Sequence, residues 1–158
     1  MGRVLTLPEA IHSRAALRAA GKRLVFTNGH FDLLHVGHLE YLEQARTYAD
    51  ALFVGINGDA STRRLKGVGR PLTPANERAR LIAGFACVDA AIIFEEDTAT
   101  ALIDALRPDI YVKGGDYATK AWPERDAVLA YAGQVALIPF VPERSTSQII
   151  QRVRALPE

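Results

Sequence analysis

Three of the chain's four histidines, His30, His35 and His38, fall within "TNGHFDLLHVGH", Thr27 to His38. Imidazole titrates near neutrality and can donate or accept hydrogen bonds, so such a cluster suits metal ligation, proton transfer or the handling of phosphate oxygens. His35 and His38 stand three apart in "LLHVGHLEYL". That spacing predicts both rings on one face at a helix start, near the positive end of the dipole and its unpaired N–H groups. Zinc held by three imidazoles is the competing reading. It gives way because "HExxH" is absent and the nearby loops bring cations in place of carboxylates, so no residue is expected to hold a metal. A general base is disfavoured too, since a helix N-terminus favours neutral imidazoles bonded to phosphate. His12 lies on the polar side of a helical segment and reads as solvated.

The elements that must carry these residues alternate. Short apolar runs at "RLVFTN", "ALFVGIN", "AAIIF", "DIYVKG" and "QVALIPF" read as five buried strands. Helical spacing follows the first three, in Leu39, Leu42, Ala45 and Ala49, in Leu81, Ile82 and Phe85, and in Leu102, Ile103 and Leu106. "ERDAVLAYAG" and "STSQIIQRVRAL" flank the fifth strand, and "PEAIHSRAALRAAG" is a leading helix ended by Gly21. The pattern predicts an α/β fold, a single doubly wound domain over residues 1–158 with a five-stranded parallel sheet flanked by helices. The stretch "GDASTRRLKGVGRPLTPAN" reads as one long basic loop.

Ligands of open α/β sheets bind beyond the carboxyl ends of the strands. The segments there carry Gly, Lys, Arg and clustered hydroxyls, which describe a phosphate-rich ligand. Neither "GxxxxGK[ST]" nor a "GxGxxG" after the first strand is present, so the phosphate site is built another way.

Composition narrows the partners. Lys+Arg 19 nearly cancels Asp+Glu 18, so no global field marks a nucleic-acid or membrane-surface protein. No signal-peptide core and no apolar run of about 18 residues occurs, and a cytoplasmic protein is expected. Cys87, the single cysteine, reads as a buried structural thiol.

With these residues in place, the chain resembles the nucleotidyltransferase superfamily whose signature is "HxGH", here His35, Val36, Gly37 and His38. The longer strings "TNGHFDLLHVGHLEYLEQAR", "RRLKGVGRPLTPANERARLI", "CVDAAIIFEEDT", "LRPDIYVKGGDY" and "STSQII" are similar, in order and spacing, to the bacterial D-glycero-β-D-manno-heptose 1-phosphate adenylyltransferases. The resemblance covers nearly the whole chain and implies a Rossmann-like fold. It also implies transfer of AMP from ATP to a sugar phosphate with release of pyrophosphate, Mg²⁺ accompanying ATP, and a homodimer.

The resemblance further implies site residues. His35 and His38 would grip the triphosphate and stabilise the transition state, and Gly37 would let phosphate approach the helix start, unless it is a plain turn glycine. Thr27, Asn28, Gly29 and Phe31 would line the nucleotide, with the Phe31 side chain a core candidate as well. Lys66 would bridge the incoming phosphate and the triphosphate, with Arg70 close by in the same cationic loop. Arg78 would meet phosphate or pair with a neighbour such as Glu77. Gly114 would border the nucleoside and Asp116 a hydroxyl, although Asp after two glycines also makes turns. Ser145, Thr146 and Ser147 would face the phosphates, cap the last helix, or both.

Two departures matter. His30 stands where the heptose branch more familiarly has cysteine, "TNGCFD", so no role carries over to it. No sugar-kinase segment of the kind fused to some relatives is expected, which would leave heptose 1-phosphate to a separate enzyme. Two alternatives stay open at this point: a cytidylyltransferase acting on glycerol 3-phosphate or a related alcohol phosphate, and a nucleotide-binding regulatory module without turnover.

Overall fold

The structure, a computed structural model, describes residues 1–115, 122–139 and 146–156. Its strands are β1 (Arg3–Leu5), β2 (Leu24–Gly29), β3 (Ala51–Asn57), β4 (Ala90–Phe94), β5 (Ile110–Gly114) and β6 (Gln134–Ile138). Its helices are α1 (Leu7–Ala19), α2 (Val36–Arg46), α3 (Asp59–Lys66), α4 (Ala75–Ala83), α5 (Thr100–Leu106), α6 (Pro123–Leu129) and α7 (Thr146–Arg154). The strands form one parallel sheet in the order β1-β4-β3-β2-β5-β6.

That sheet is the doubly wound, Rossmann-like α/β fold expected, with six strands in place of five. The extra one, β1, spans only three residues, of which Leu5 alone is buried, and it pairs with β4 at the sheet edge. So short a stretch has too few apolar positions to show a period. The second correction is α3, inside the segment read as a loop. Its buried residues are Ser61 and Thr62, held by hydrogen bonds, so no apolar periodicity announces it.

Alternation along each strand divides the core between two faces. Leu24 and Phe26 of β2 and Ala51 and Phe53 of β3 pack under α1, α5 and α6, together with Ala10, Leu102, Ile103, Leu106 and Val128. Val25, Leu52, Val54 and Ile56 point the other way, against Leu42 and Ala45 of α2 and Ala79 and Ile82 of α4. Burial on both faces is why β3 reads as an unbroken apolar run, with all seven of its residues buried.

From β2 in the middle, the chain winds outward through β3 and β4, then returns to place β5 on the other side of β2. The carboxyl ends of β2, β3 and β5 are therefore neighbours, and the segments that follow them meet at the switch point.

Candidate functional site

Beyond those strand ends lies an open cavity of ≈ 500 Å³. Its floor comes from Asn28 and Gly29 at the end of β2. The chain then turns a sharp corner, for which Phe31 adopts φ +48°, a left-handed conformation costly to a residue with a side chain. The Phe31 side chain is buried, and its ring packs tilted against His38 with centroids 5.3 Å apart. Phe31 is thus both a core residue and part of the cavity lining.

The corner delivers His35 to the N-cap position of α2, with no side-chain cap of its own. The two imidazoles stack, centroids 3.8 Å apart and planes 24° apart, and Gly37 lines the cavity between them. Burial, and then the neighbouring His35, pull the His38 pKa down to about 4, so its ring is neutral at physiological pH. Its Nδ1 is buried with no hydrogen-bond partner among the described residues.

One wall is α3. Lys66 is exposed in its last turn and lines the cavity, and Gly67 (φ +93°) and Gly69 (φ +82°) let the chain turn away immediately after it. Arg70 also lines the cavity. Its Nε lies 2.9 Å from Asp32 Oδ2, while Asp32 Oδ1 accepts from the backbone N–H groups of Leu72 (2.7 Å) and Thr73 (2.9 Å). A buried carboxylate at the corner after β2 thereby holds the basic segment against the site.

The opposite wall is β5 and α7. Gly114, Thr146 and Ser147 line it, and Thr146 Oγ1 donates to Leu33 O at 3.2 Å, tying the start of α7 to the β2–α2 corner. Lys113, largely buried, donates from Nζ to Asn28 Oδ1 at 3.1 Å, and Tyr111 OH donates to the same oxygen. Burial is the main cause that lowers the Lys113 pKa; the Lys66 charge lowers it further and Glu124 opposes.

Of the residues picked out in sequence, Asn28, Gly29, Phe31, His35, Gly37, His38, Lys66, Arg70, Gly114, Thr146 and Ser147 converge on this cavity. Asp116 and Ser145 lie outside the described residues. Two candidates sit elsewhere. Thr27 is fully buried, and its hydroxyl is 2.7 Å from Tyr41 OH. Arg78 is also fully buried behind the site: its guanidinium donates to the carbonyls of Thr73, His30 and Asn57 and pairs with Asp59 Oδ1 at 2.7 Å. This corrects the expectation that Arg78 meets phosphate, because its donors are spent on tying β2, β3, α3 and α4 together.

Sequence reasoning passed over Lys113 and Asp32. Lys113 stood in "VKGGDY", where the glycines and the aspartate drew attention; a lysine in the last turnout of a buried strand was the available signal. Asp32 carried no signal beyond its place in the histidine-rich stretch.

No three His, Cys, Asp or Glu side chains converge as metal ligands among the described residues. The carboxylates that line the cavity are engaged: Asp32 as above, Asp97 by Arg64 at 2.7 Å, and Glu124 by the Ala99 N–H at 3.2 Å.

Comparison with known proteins agrees with this architecture. Residues 26–152 match the family described as cytidylyltransferase-like. Relatives include the bifunctional protein HldE of Alkalilimnicola ehrlichii, 50% identical over 98% of this chain and 32% of that protein. That of Geotalea uraniireducens is 52% identical over 88% of this chain and 28% of that protein. The chain thus spans about a third of the length of the curated relatives it matches. Among solved structures, the lipopolysaccharide core biosynthesis protein from Thermoplasma volcanium superposes with a TM-score of 0.64 at 26% identity, covering 77% of this chain and 98% of that one. Pantothenate synthetase from Thermus thermophilus reaches 0.66 at 19% identity, over 98% and 71% of the two chains, and shares the fold alone. With the match spanning β2 to α7 and the paired histidines at the start of α2, the chain belongs to the cytidylyltransferase-like family.

Proposed function

We propose that this chain is a nucleotidyltransferase domain, over residues 1–158, that transfers AMP from ATP to D-glycero-β-D-manno-heptose 1-phosphate. The observation that carries the reading is convergence: a stacked histidine pair at a helix N-terminus shares one cavity with Lys66, Arg70 and Lys113. The choice of acceptor rests on the long motif resemblance and on about 50% identity with HldE proteins over most of this chain.

The chemistry asks little of a base. A phosphomonoester has a second pKa of about 6, so its oxygen is already anionic at neutral pH. That oxygen forms a bond to the α-phosphorus of ATP as the bond from the α-phosphorus to the bridging oxygen breaks, and pyrophosphate leaves. The protein's work is to align two anions and absorb charge. Neutral His38, lining the cavity in the first turn of α2, would present its ring to the nucleotide. Amides at the start of α2 and the hydroxyl of Ser147 would hold phosphate oxygens, with Thr146 keeping the start of α7 against the β2–α2 corner, and Asn28, Gly29, Gly37 and Gly114 would let the nucleotide lie close to the backbone. Lys66, on its glycine hinge, would bridge acceptor phosphate and triphosphate, and Lys113 would neutralise charge from the β5 side.

The engaged carboxylates fit a Mg²⁺ that arrives with ATP, held by phosphate oxygens and water. When bound, it would supply charge neutralisation for the phosphates. A homodimer and a cytoplasmic location complete the proposal; no helix among the described residues is long and apolar enough to cross a membrane.

Incubation with ATP, Mg²⁺ and heptose 1-phosphate is expected to release pyrophosphate and form ADP-heptose. No release with any phosphorylated sugar would sink the reading. The identity with HldE proteins does not favour the cytidylyltransferase alternative, which predicts that CTP outcompetes ATP. A binding module without turnover predicts that His35→Ala loses ATP binding and any turnover in equal measure.

A further inference from the structure

The third histidine has a geometry that neither the phosphate grip nor the resemblance uses. His30 follows β2 and lines the cavity half-buried, with Nδ1 3.0 Å from Thr62 Oγ1 on α3. The Thr62 hydroxyl carries one proton, and it donates that proton to Asn57 O at 3.3 Å. In the arrangement where Thr62 keeps that bond, it accepts from His30, and the imidazole proton sits on Nδ1 with the lone pair on Nε2. Nε2 has no hydrogen-bond partner among the described residues, and it is not one of their enclosed, partnerless polar atoms, so it faces the open cavity.

The ring is also kept neutral. Burial is the main cause, followed by the charges of Lys66, Arg78 and Lys113, and together they outweigh Asp32 and bring the pKa down to about 4. A neutral acceptor among cations is a poor partner for a phosphate oxygen, because two lone pairs would face each other. It is a good partner for a group that donates. The bond to Thr62 also fixes which side of the cavity it serves. Thr62 and Lys66 lie one turn apart on α3, across β2 from Gly114, Thr146 and Ser147. If the nucleotide lies against the latter wall, as the proposed function has it, the α3 side receives the acceptor, whose sugar is rich in hydroxyls.

We propose that His30 is a recognition residue for the acceptor, its Nε2 taking a hydrogen bond from a sugar hydroxyl while Lys66 holds the phosphate of the same molecule. This rests on the adenylyltransferase reading and goes beyond it, since it assigns a residue that reads the sugar.

Pyrophosphate release by the wild type, His30→Leu and His30→Gln, with heptose 1-phosphate and ATP varied in turn, tests the proposal. His30→Leu is expected to raise KM for the sugar phosphate about tenfold, one neutral hydrogen bond's worth, with KM for ATP within about twofold. His30→Gln, which restores an acceptor near Nε2, is expected to recover most of the loss. In a series of monodeoxy acceptors, one deletion should cost the wild type about tenfold and cost His30→Leu nothing. An unchanged acceptor KM in His30→Leu, an equal rise in both KM values, or a deoxy penalty that persists in His30→Leu overturns the assignment and leaves the adenylyltransferase reading intact. A wild type that turns over no sugar phosphate overturns both.

Discussion

The rings of His35 and His38 lie face to face with centroids 3.8 Å apart, at a helix start where a positive charge on either would be opposed by the other and by the dipole. The His38 ring is neutral, and each ring depends on its neighbour for position. His35→Ala and His38→Ala are each expected to lower kcat by about a hundredfold or more, the scale of a lost transition-state donor, while ATP binding by calorimetry falls much less. Similar losses in kcat and in binding would mean that the pair only anchors the nucleotide.

The same neutrality has a pH signature. His30 and His38 each titrate at about 4 in the folded chain against an ordinary 6.5, so between those values the unfolded chain holds protons that the folded chain lacks. Stability is then fully present above about pH 6.5 and is lost as the pH falls towards 4. Urea midpoints taken from about pH 7 down to about pH 5.5, above most carboxylate titration, should decline, and His38→Gln should flatten the slope. A midpoint flat across that range contradicts buried neutral imidazoles.

Lys113 separates function from stability. Its charge is held in a largely buried place by Asn28 Oδ1, a cost that an apolar side chain of similar shape removes. Lys113→Met is expected to cut kcat/KM about a hundredfold while Tm holds or rises. A marked fall in Tm would make Lys113 a structural residue instead.

Arg78 should behave in the opposite way. Its removal strands the carbonyls of Thr73 and His30 and takes one of two donors from that of Asn57, so Arg78→Met is expected to destabilise the fold by about 3 kcal/mol in denaturant titration. Normal stability together with a raised KM for either substrate would restore Arg78 as a phosphate contact.

Asp32 links the corner to the basic segment. Asp32→Ala frees the amides of Leu72 and Thr73 and the Arg70 side chain, so limited proteolysis should cut faster between Lys66 and Thr73, with kcat/KM reduced about tenfold. Unchanged protection of that segment would show that other contacts hold it.

What the sequence made legible follows the chemistry of each signal. β2 to β5 were readable because strands buried for most of their length must be continuously apolar, β6 because its run is apolar although only Ile138 is buried, and His35 with His38 because two imidazoles three apart at a helix start have few bland explanations. α3 was hidden because Ser61 and Thr62 bury themselves by hydrogen bonds, and the apolar Leu65 of the same helix is exposed. Arg78 was misread and Lys113 passed over for one reason seen from two sides. A cation in sequence looks the same whether the fold spends it on backbone carbonyls, as with Arg78, or aims it into a cavity, as with Lys113. Only the partners tell them apart.

The left-handed corner at Phe31 sends three consecutive side chains to three destinations: His30 to α3, Phe31 to His38, and Asp32 to the segment before α4. Each destination can change chemically without disturbing the other two, because the backbone alone sets the directions. Insertion or deletion of one residue, in contrast, rotates all three at once. The length of this corner, more than any one of its side chains, is therefore what the site depends on.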